Sequence, residues 1–156
     1  MQILVDADSC RREARELILR CSARLGINAV FAANRLIPGI PVSSSAAETR
    51  ARMELCPQEE GAADDRIAAL AKSGDLVLTR DLPLAERLVG AGVTVLDDRG
   101  RVFTKENIKE QRSLRDFAVD LAKNGMGVER IASYSRKELK KLADSLDREL
   151  AKLVRA

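Results

Sequence analysis

The sequence predicts a three-layer α/β fold with a mostly parallel central sheet. Three observations carry the prediction. Short apolar runs such as Ile3–Val5 and Leu76–Leu78 lack the alternation of a half-solvated strand and read as strands buried on both faces. Segments of helical periodicity follow them in turn. The runs also end abruptly in polar or acidic residues, as strands do where they feed a helix in an open parallel sheet.

Taken in order, the first strand covers Gln2–Val5, and a helix follows from Ser9 or Cys10 to Leu25. Ala14, Leu17, Ile18, Cys21 and Leu25 form its buried stripe, and Gly26 stops it. A second strand, Asn28–Ala32, ends at Asn34-Arg35. Leu36–Ser45, with Pro38, Gly39, Pro41 and three serines, reads as a loop. In Thr49–Cys56, Ala51, Met53 and Leu55 alternate with Arg50, Arg52 and Glu54, which predicts a half-buried strand near a sheet edge. Ala63-Asp64-Asp65 opens a short helix, Arg66–Lys72. Leu76–Thr79 is a strand, and Asp81 and Pro83 begin a helix that runs to about Val89. Val93–Leu96 is the last parallel strand. Asp97–Gly100 is a turn, Arg101–Phe103 a short extension, and Thr104 the cap of a helix over Lys105–Lys123. Asn124–Gly127 is a joint. Ser135–Glu138 is a capping box before a final helix whose Leu139, Leu142, Ala143, Leu146, Leu150 and Leu153 lie on one face. That stripe can pack on the domain or on a second copy; the first is favoured.

The 156 residues suit one domain, 1–156, with a basic helical extension from about residue 104. Aromatics make up only 3%, with no Trp, which argues against an aromatic stacking platform for single strands. There is no His, so His-dependent triads and His-ligated zinc are excluded, and any metal would be held by oxygen. Charge is uneven. Residues 1–98 hold twelve Lys and Arg against fifteen Asp and Glu, whereas residues 99–156 hold fifteen against nine. An acidic front beside a basic tail suits a metal site flanked by a phosphate-binding surface; a solvated helical face is the plainer alternative. Cys10, Cys21 and Cys56 form no CxxC pair, and no signal-peptide pattern is seen, so a reduced, cytoplasmic protein is expected. No apolar run approaches the roughly 20 residues of a membrane span. Oligomeric state is not specified.

The acids define the functional question. Asp6 and Asp8 follow the first strand, Asp81 follows Leu76–Thr79, and Asp64 and Asp65 open a helix returning to the sheet. Gathered at one edge, such carboxylates repel one another and favour a bound divalent cation, which can serve phosphoryl displacement. Capping is the alternative for Asp8, Asp64, Asp65 and Asp81. Asp6, directly after the apolar run, is the stronger functional candidate. Asp97-Asp98 reads first as turn chemistry. Cys10, beside two acids and with no base, reads as a packing residue. Asn34 and Arg35, which end the second strand, can hold a substrate phosphate or orient a carboxylate, with plain loop polarity as the alternative, and Arg80 can contact a phosphate.

These residues also carry a resemblance. Val5–Cys10 (Val-Asp-Ala-Asp-Ser-Cys), Ala33-Asn34, Ala63–Asp65, Gly74–Thr79, Asp81–Ala85, Arg99-Gly100, Thr104, Glu106–Ile108, Leu114–Phe117 and Leu146–Arg148 occur in an order that resembles the bacterial YaiI/YqxD family over nearly the whole chain. That family is uncharacterised and looks like a branch of the PIN-like fold, whose better-known members are metal-dependent ribonucleases. The resemblance implies a strand order of 3-2-1-4-5. By position it matches Asp6 and Asp8 to the first acidic motif, Asp64 and Asp65 to the second and Asp81 to the third. The chain departs from the family pattern at Gly61, usually Asp, at Arg11, usually Pro, and at Asp97-Asp98, commonly Asn-Pro.

The expectation is therefore a Mg²⁺- or Mn²⁺-dependent nuclease acting on RNA. Asp6, Asp8, Asp64 and Asp81 would be its catalytic residues, with Asp65 added to the metal set and Asn34, Arg35 and Arg80 binding substrate. A non-catalytic RNA- or protein-binding domain is the alternative. A phosphohydrolase with Asp6 as covalent nucleophile and Asp8 as general acid is a third and weaker reading.

Overall fold

The computed structural model describes residues 1–42, 50–125 and 134–155. Six strands, β1 (Gln2–Asp6), β2 (Asn28–Ala33), β3 (Ala51–Leu55), β4 (Leu76–Leu78), β5 (Thr94–Leu96) and β6 (Val102–Phe103), form one sheet. Their order is β3-β2-β1-β4-β5-β6. The first five are parallel, in the order expected, and β6 turns back antiparallel on β5. Five helices accompany them: α1 (Arg12–Leu25), α2 (Ala62–Leu70), α3 (Leu82–Gly90), α4 (Lys105–Lys123) and α5 (Arg136–Arg155).

The layering follows from the period-two geometry of the strands. Ile3, Val5, Phe31, Leu76 and Leu78 point to one face, where they meet Ala14, Ile18 and Cys21 of α1 and Leu142, Leu146 and Leu150 of α5. Leu4, Val30, Val77 and Val95 point to the other, against Ile67 of α2, Leu84 and Leu88 of α3 and Ile108 of α4. Both faces are covered, which is why the central strands are continuously apolar. The α5 stripe thus packs on the sheet and α1, the domain-packing alternative. Replacing fully buried Leu146 with Ala should cost about 2–5 kcal/mol, read as a lower urea midpoint with an unchanged slope.

Several boundaries differ from expectation. Strand β1 runs one residue further, to Asp6, because Asp6 pairs in register with Ala32. Helix α1 starts at Arg12, two or three residues late. Residues 7–10 are instead used in a turn that bonds the Ala7 amide to the Ala32 carbonyl, 3.0 Å, and the Ser9 amide to the Asp6 carbonyl, 3.2 Å. Helix α2 starts earlier, at Ala62, and ends at Leu70. Asp64 and Asp65 therefore sit inside its first turn, and its N-cap is Gly61 at φ 78° with no side-chain cap, so neither acid is the cap. In β3 the alternation fails at its end, since Leu55 is 51% exposed and Arg52 is buried. Arg52 is held there by Glu54, 2.9 Å away, which also pairs with Arg66. Thr104 caps α4 through a capping box with Asn107. Before α5, the Glu138 carboxylate accepts the Ser135 amide, 2.7 Å, which is one of the two bonds of the predicted box; the Ser135 hydroxyl accepts the Lys137 amide at 3.3 Å in place of that of Glu138. Half of the expected 124–127 joint, the end of the 36–45 loop and Thr49 lie outside the described residues.

Candidate functional site

The carboxyl ends of β1, β4 and β5, the start of α2 and part of α4 enclose an open hollow of about 1090 Å³. Its position follows from topology: adjacent parallel strands deliver every strand-to-helix junction to the same edge. Asp6, Asp8, Asp64 and Asp81, expected to converge, all line it, and so do Asn34 and Arg80.

Asp6 ends β1 and is only 4% exposed. Its Oδ2 accepts the Thr79 hydroxyl at 2.9 Å. The Thr79 oxygen in turn accepts the Asp81 amide at 3.0 Å, so one residue at the end of β4 ties the first and third acids together. Burial raises the Asp6 pKa, opposed by the Thr79 and Ser9 hydroxyls and reinforced by the charges of Asp8 and Asp81. Asp81 does cap α3: its Oδ1 accepts the Leu84 amide at 2.9 Å. Capping and a place in the hollow are thus compatible for this residue. Asp8 uses Oδ2 to accept the Asn34 amide, 2.9 Å, while Oδ1 lies 3.6 Å from Arg35 Nε. Asp64 faces the hollow from α2. Its pKa is pushed up to about 6, first by burial, then by the charges of Asp81 and Asp6, by a hydrogen bond with Asp81 and by Asp65.

Two expected site residues stand apart. Asp65 points outward, its side chain 76% exposed and 3.2 Å from Arg87, and does not line the hollow. One helical step from Asp64 turns a side chain by about 100°, so only one of the pair can face inward. Arg35 reaches the hollow only through Asp8 and does not line it. Cys10 is buried, its thiol 3.8 Å from the Leu78 carbonyl, and burial with Asp98 and Asp6 nearby holds its pKa well above the ordinary thiol range. It packs, as expected.

Sequence reasoning did not single out Thr79 or Ser9, nor Arg99, Arg101 and Arg115, which line the same hollow. A polar residue closing an apolar run was the available signal for Thr79. The charge reversal near residue 99 was the signal for the arginines. Asp97-Asp98 forms a turn, with Asp97 Oδ1 accepting the Arg99 and Arg101 amides at 2.9 Å each. Asp98 does more than turn: it is 1% exposed and accepts the Arg11 amide at 3.1 Å, the first amide before α1.

The donor chemistry fits a hard divalent cation, since the carboxylates of Asp6, Asp8, Asp64 and Asp81 and the Ser9 hydroxyl line the hollow. Ligand number is less complete. Among the described residues no group of three His, Cys, Asp or Glu side chains is drawn together closely enough to hold a metal ion. The acids share a field without forming a closed cage. Because the folded-state pKa of Asp64 is raised, Asp64 favours folding below its unfolded pKa near 4, and that contribution is lost as pH rises through about 6. Asp64→Asn should therefore raise Tm at pH 7.5 relative to the parent chain, with the gain disappearing by about pH 4; thermal melts at both pH values check this.

A family model described as "Uncharacterized BCR, YaiI/YqxD family" matches residues 4–152. Among curated proteins, a UPF0178 protein of Treponema pallidum (strain Nichols) is 44% identical over 155 residues, covering 99% of this chain and 84% of the relative. One from Syntrophobacter fumaroxidans (strain DSM 10017 / MPOB) is 43% identical over 152 residues, covering 97% and 95%. One from Myxococcus xanthus (strain DK1622) is 40% identical over 157 residues, covering 99% and 97%. No solved structure matches the chain. Among the described residues, no helix is long and apolar enough to cross a membrane.

Proposed function

The chain belongs to the uncharacterised YaiI/YqxD family, and from that premise we propose that it hydrolyses phosphodiester bonds of RNA with the help of Mg²⁺ or Mn²⁺. The observation that carries the reading is the presence of both charges in one hollow: Asp6, Asp8, Asp64 and Asp81 line it, and so do Arg80, Arg99, Arg101 and Arg115. Acids alone would suit a cation and arginines alone an anion. Together they suit a phosphate diester brought to a cation.

Asp6, Asp8 and Asp81 would hold the ion, directly or through water; the ion would offset their repulsion and polarise the phosphate. The chain's own contribution is positional. Thr79 fixes Asp6 and Asp81 relative to each other through its one hydroxyl. Asn34 fixes Asp8 through its amide. Asp64 would complete the shell or position the attacking water. The arginines hold phosphates and so set where the scissile bond lies.

Cleavage of a quenched-fluorophore RNA should require Mn²⁺ and Asp6, and equal cleavage by the Asp6→Asn variant would overturn the reading.

A second reading, a non-catalytic RNA- or protein-binding domain, is favoured by one observation, the lack of a closed three-ligand group among the described residues. Titration calorimetry with Mn²⁺ separates the two: binding heat at submillimolar metal supports hydrolysis, and none at millimolar metal supports the binding domain.

A further inference from the structure

Arg80 presents a problem that Asp98 solves. Arg80 is next to Asp81 in the chain and lines the same hollow as Asp6 and Asp64. An untethered guanidinium there would fold onto those carboxylates, neutralising them and taking itself away from substrate. It does not. Its Nε lies 3.8 Å from Asp98 Oδ1, and the Asp98 side chain is 1% exposed while that of Arg80 is 48% exposed. The main chain of Arg80 is fixed separately, its amide donating to the Ser9 hydroxyl at 3.2 Å.

Asp98 is itself held from several directions. Its Oδ2 accepts the Arg11 amide at 3.1 Å, and its backbone carbonyl accepts the Tyr134 hydroxyl at 2.8 Å. A buried carboxylate in a medium of low dielectric attracts a guanidinium more strongly than an exposed one does. Asp98 therefore holds Arg80, and among the described residues no carboxylate of the acidic cluster lies within 4.0 Å of its guanidinium.

We propose that Asp98 is a positioning residue: it draws Arg80 off the acidic cluster and holds it as a phosphate-binding group on the rim. This deepens the proposed function and rests on it, since the phosphate is that of the RNA substrate. The same pairing separates the hollow into an acidic end kept available to a cation and a cationic rim kept available to phosphate.

The test has a sign that simple charge counting gets wrong. Asp98→Asn removes a negative charge beside an anionic substrate, so long-range electrostatics alone would tighten RNA binding. Loss of the tether weakens it instead. Asn keeps an oxygen for the Arg11 amide, so the start of α1 is retained, and a thermal melt confirms folding. Binding is measured by fluorescence polarisation of a labelled single-stranded RNA without divalent ions, across a salt series. Arg80→Ala and Asp98→Asn should each bind several-fold more weakly than the parent chain. The slope of log K against log salt should fall by about 0.7 in each, one phosphate contact on a single strand. The double variant should bind no more weakly than Arg80→Ala alone, as expected of groups acting as one unit. Asp98→Glu, which restores a carboxylate, should recover part of the loss. Binding by Asp98→Asn equal to or tighter than the parent, while Arg80→Ala is weakened, would overturn the proposal and leave the RNA reading standing. No RNA binding by the parent chain would overturn both.

Discussion

Asp6→Asn should lose most Mn²⁺-dependent RNA cleavage and keep, or slightly improve, its stability. The expected fall in kcat is on the order of a hundred- to a thousandfold, the scale for removing one preorganised electrostatic group. The substitution is nearly isosteric, and the amide oxygen still accepts the Thr79 hydroxyl that now meets Asp6 Oδ2 at 2.9 Å. What disappears is a charge that burial and two neighbouring acids already disfavour. The raised folded-state pKa fixes the sign: Asp6 favours folding at pH values below its unfolded pKa, and that contribution is gone once pH has passed the folded value. Above that folded value the charged carboxylate is thus a burden on the fold, one that the proposed cation would offset. A variant as active as the parent, or one whose Tm falls in step with its activity, would remove Asp6 from the chemistry.

Gly100→Ala should be the most damaging single-methyl change, costing about 3 kcal/mol or more. Two effects combine. Gly100 has φ 87°, where an L side chain is strained by about 1–2 kcal/mol. A Cβ there would also lie 2.6 Å from the carbonyl carbon and oxygen of Lys141 and 2.8 Å from the Leu142 amide nitrogen. Those are backbone atoms of α5 and cannot rotate aside, so the helix must lift. Lifting strains the Ser145 hydroxyl bond to the Gly100 carbonyl, 2.6 Å, and opens the packing of Leu142 and Leu146. Gly92→Ala gives the comparison. Its φ is 79°, but the nearest atom is the Ser73 hydroxyl at 3.8 Å, so only the conformational cost applies. Urea unfolding of both variants checks the prediction, and equal losses would show that α5 yields without penalty.

The parts of the fold legible in the sequence were those set by local pattern. Apolar runs such as Leu76–Leu78 gave the parallel strands, Thr104 and Pro83 placed two helix starts, and the leucine stripe of α5 gave its buried face. Starts governed by distant partners were less legible. Helix α1 begins at Arg12 with no side-chain cap of its own, and the Arg11 amide is taken by Asp98, 87 residues away. Nothing near residue 11 encodes that. The same holds for the site. Asp6, Asp8, Asp64 and Asp81 were recognisable as acids at strand ends and helix starts, and parallel topology brings such junctions to one edge. Which of Asp64 and Asp65 turns inward depended on where α2 begins, and a boundary shift of four residues decided it. Of the two roles open to Arg35, holding a phosphate or orienting a carboxylate, the structure shows it beside the Asp8 carboxylate.

The two-residue antiparallel β6 carries a consequence for how the molecule behaves in a crowd. Parallel sheets otherwise finish in strands whose outer amides and carbonyls solicit a stranger. Here β5 is roofed by β6 on one flank, and on the other β3 takes a bridge from Val42, with the Met53 amide bonded to the Pro41 carbonyl at 2.8 Å. Both margins are closed by scraps of the chain's own backbone, so accretion of foreign strands is discouraged while the mouth of the hollow stays open.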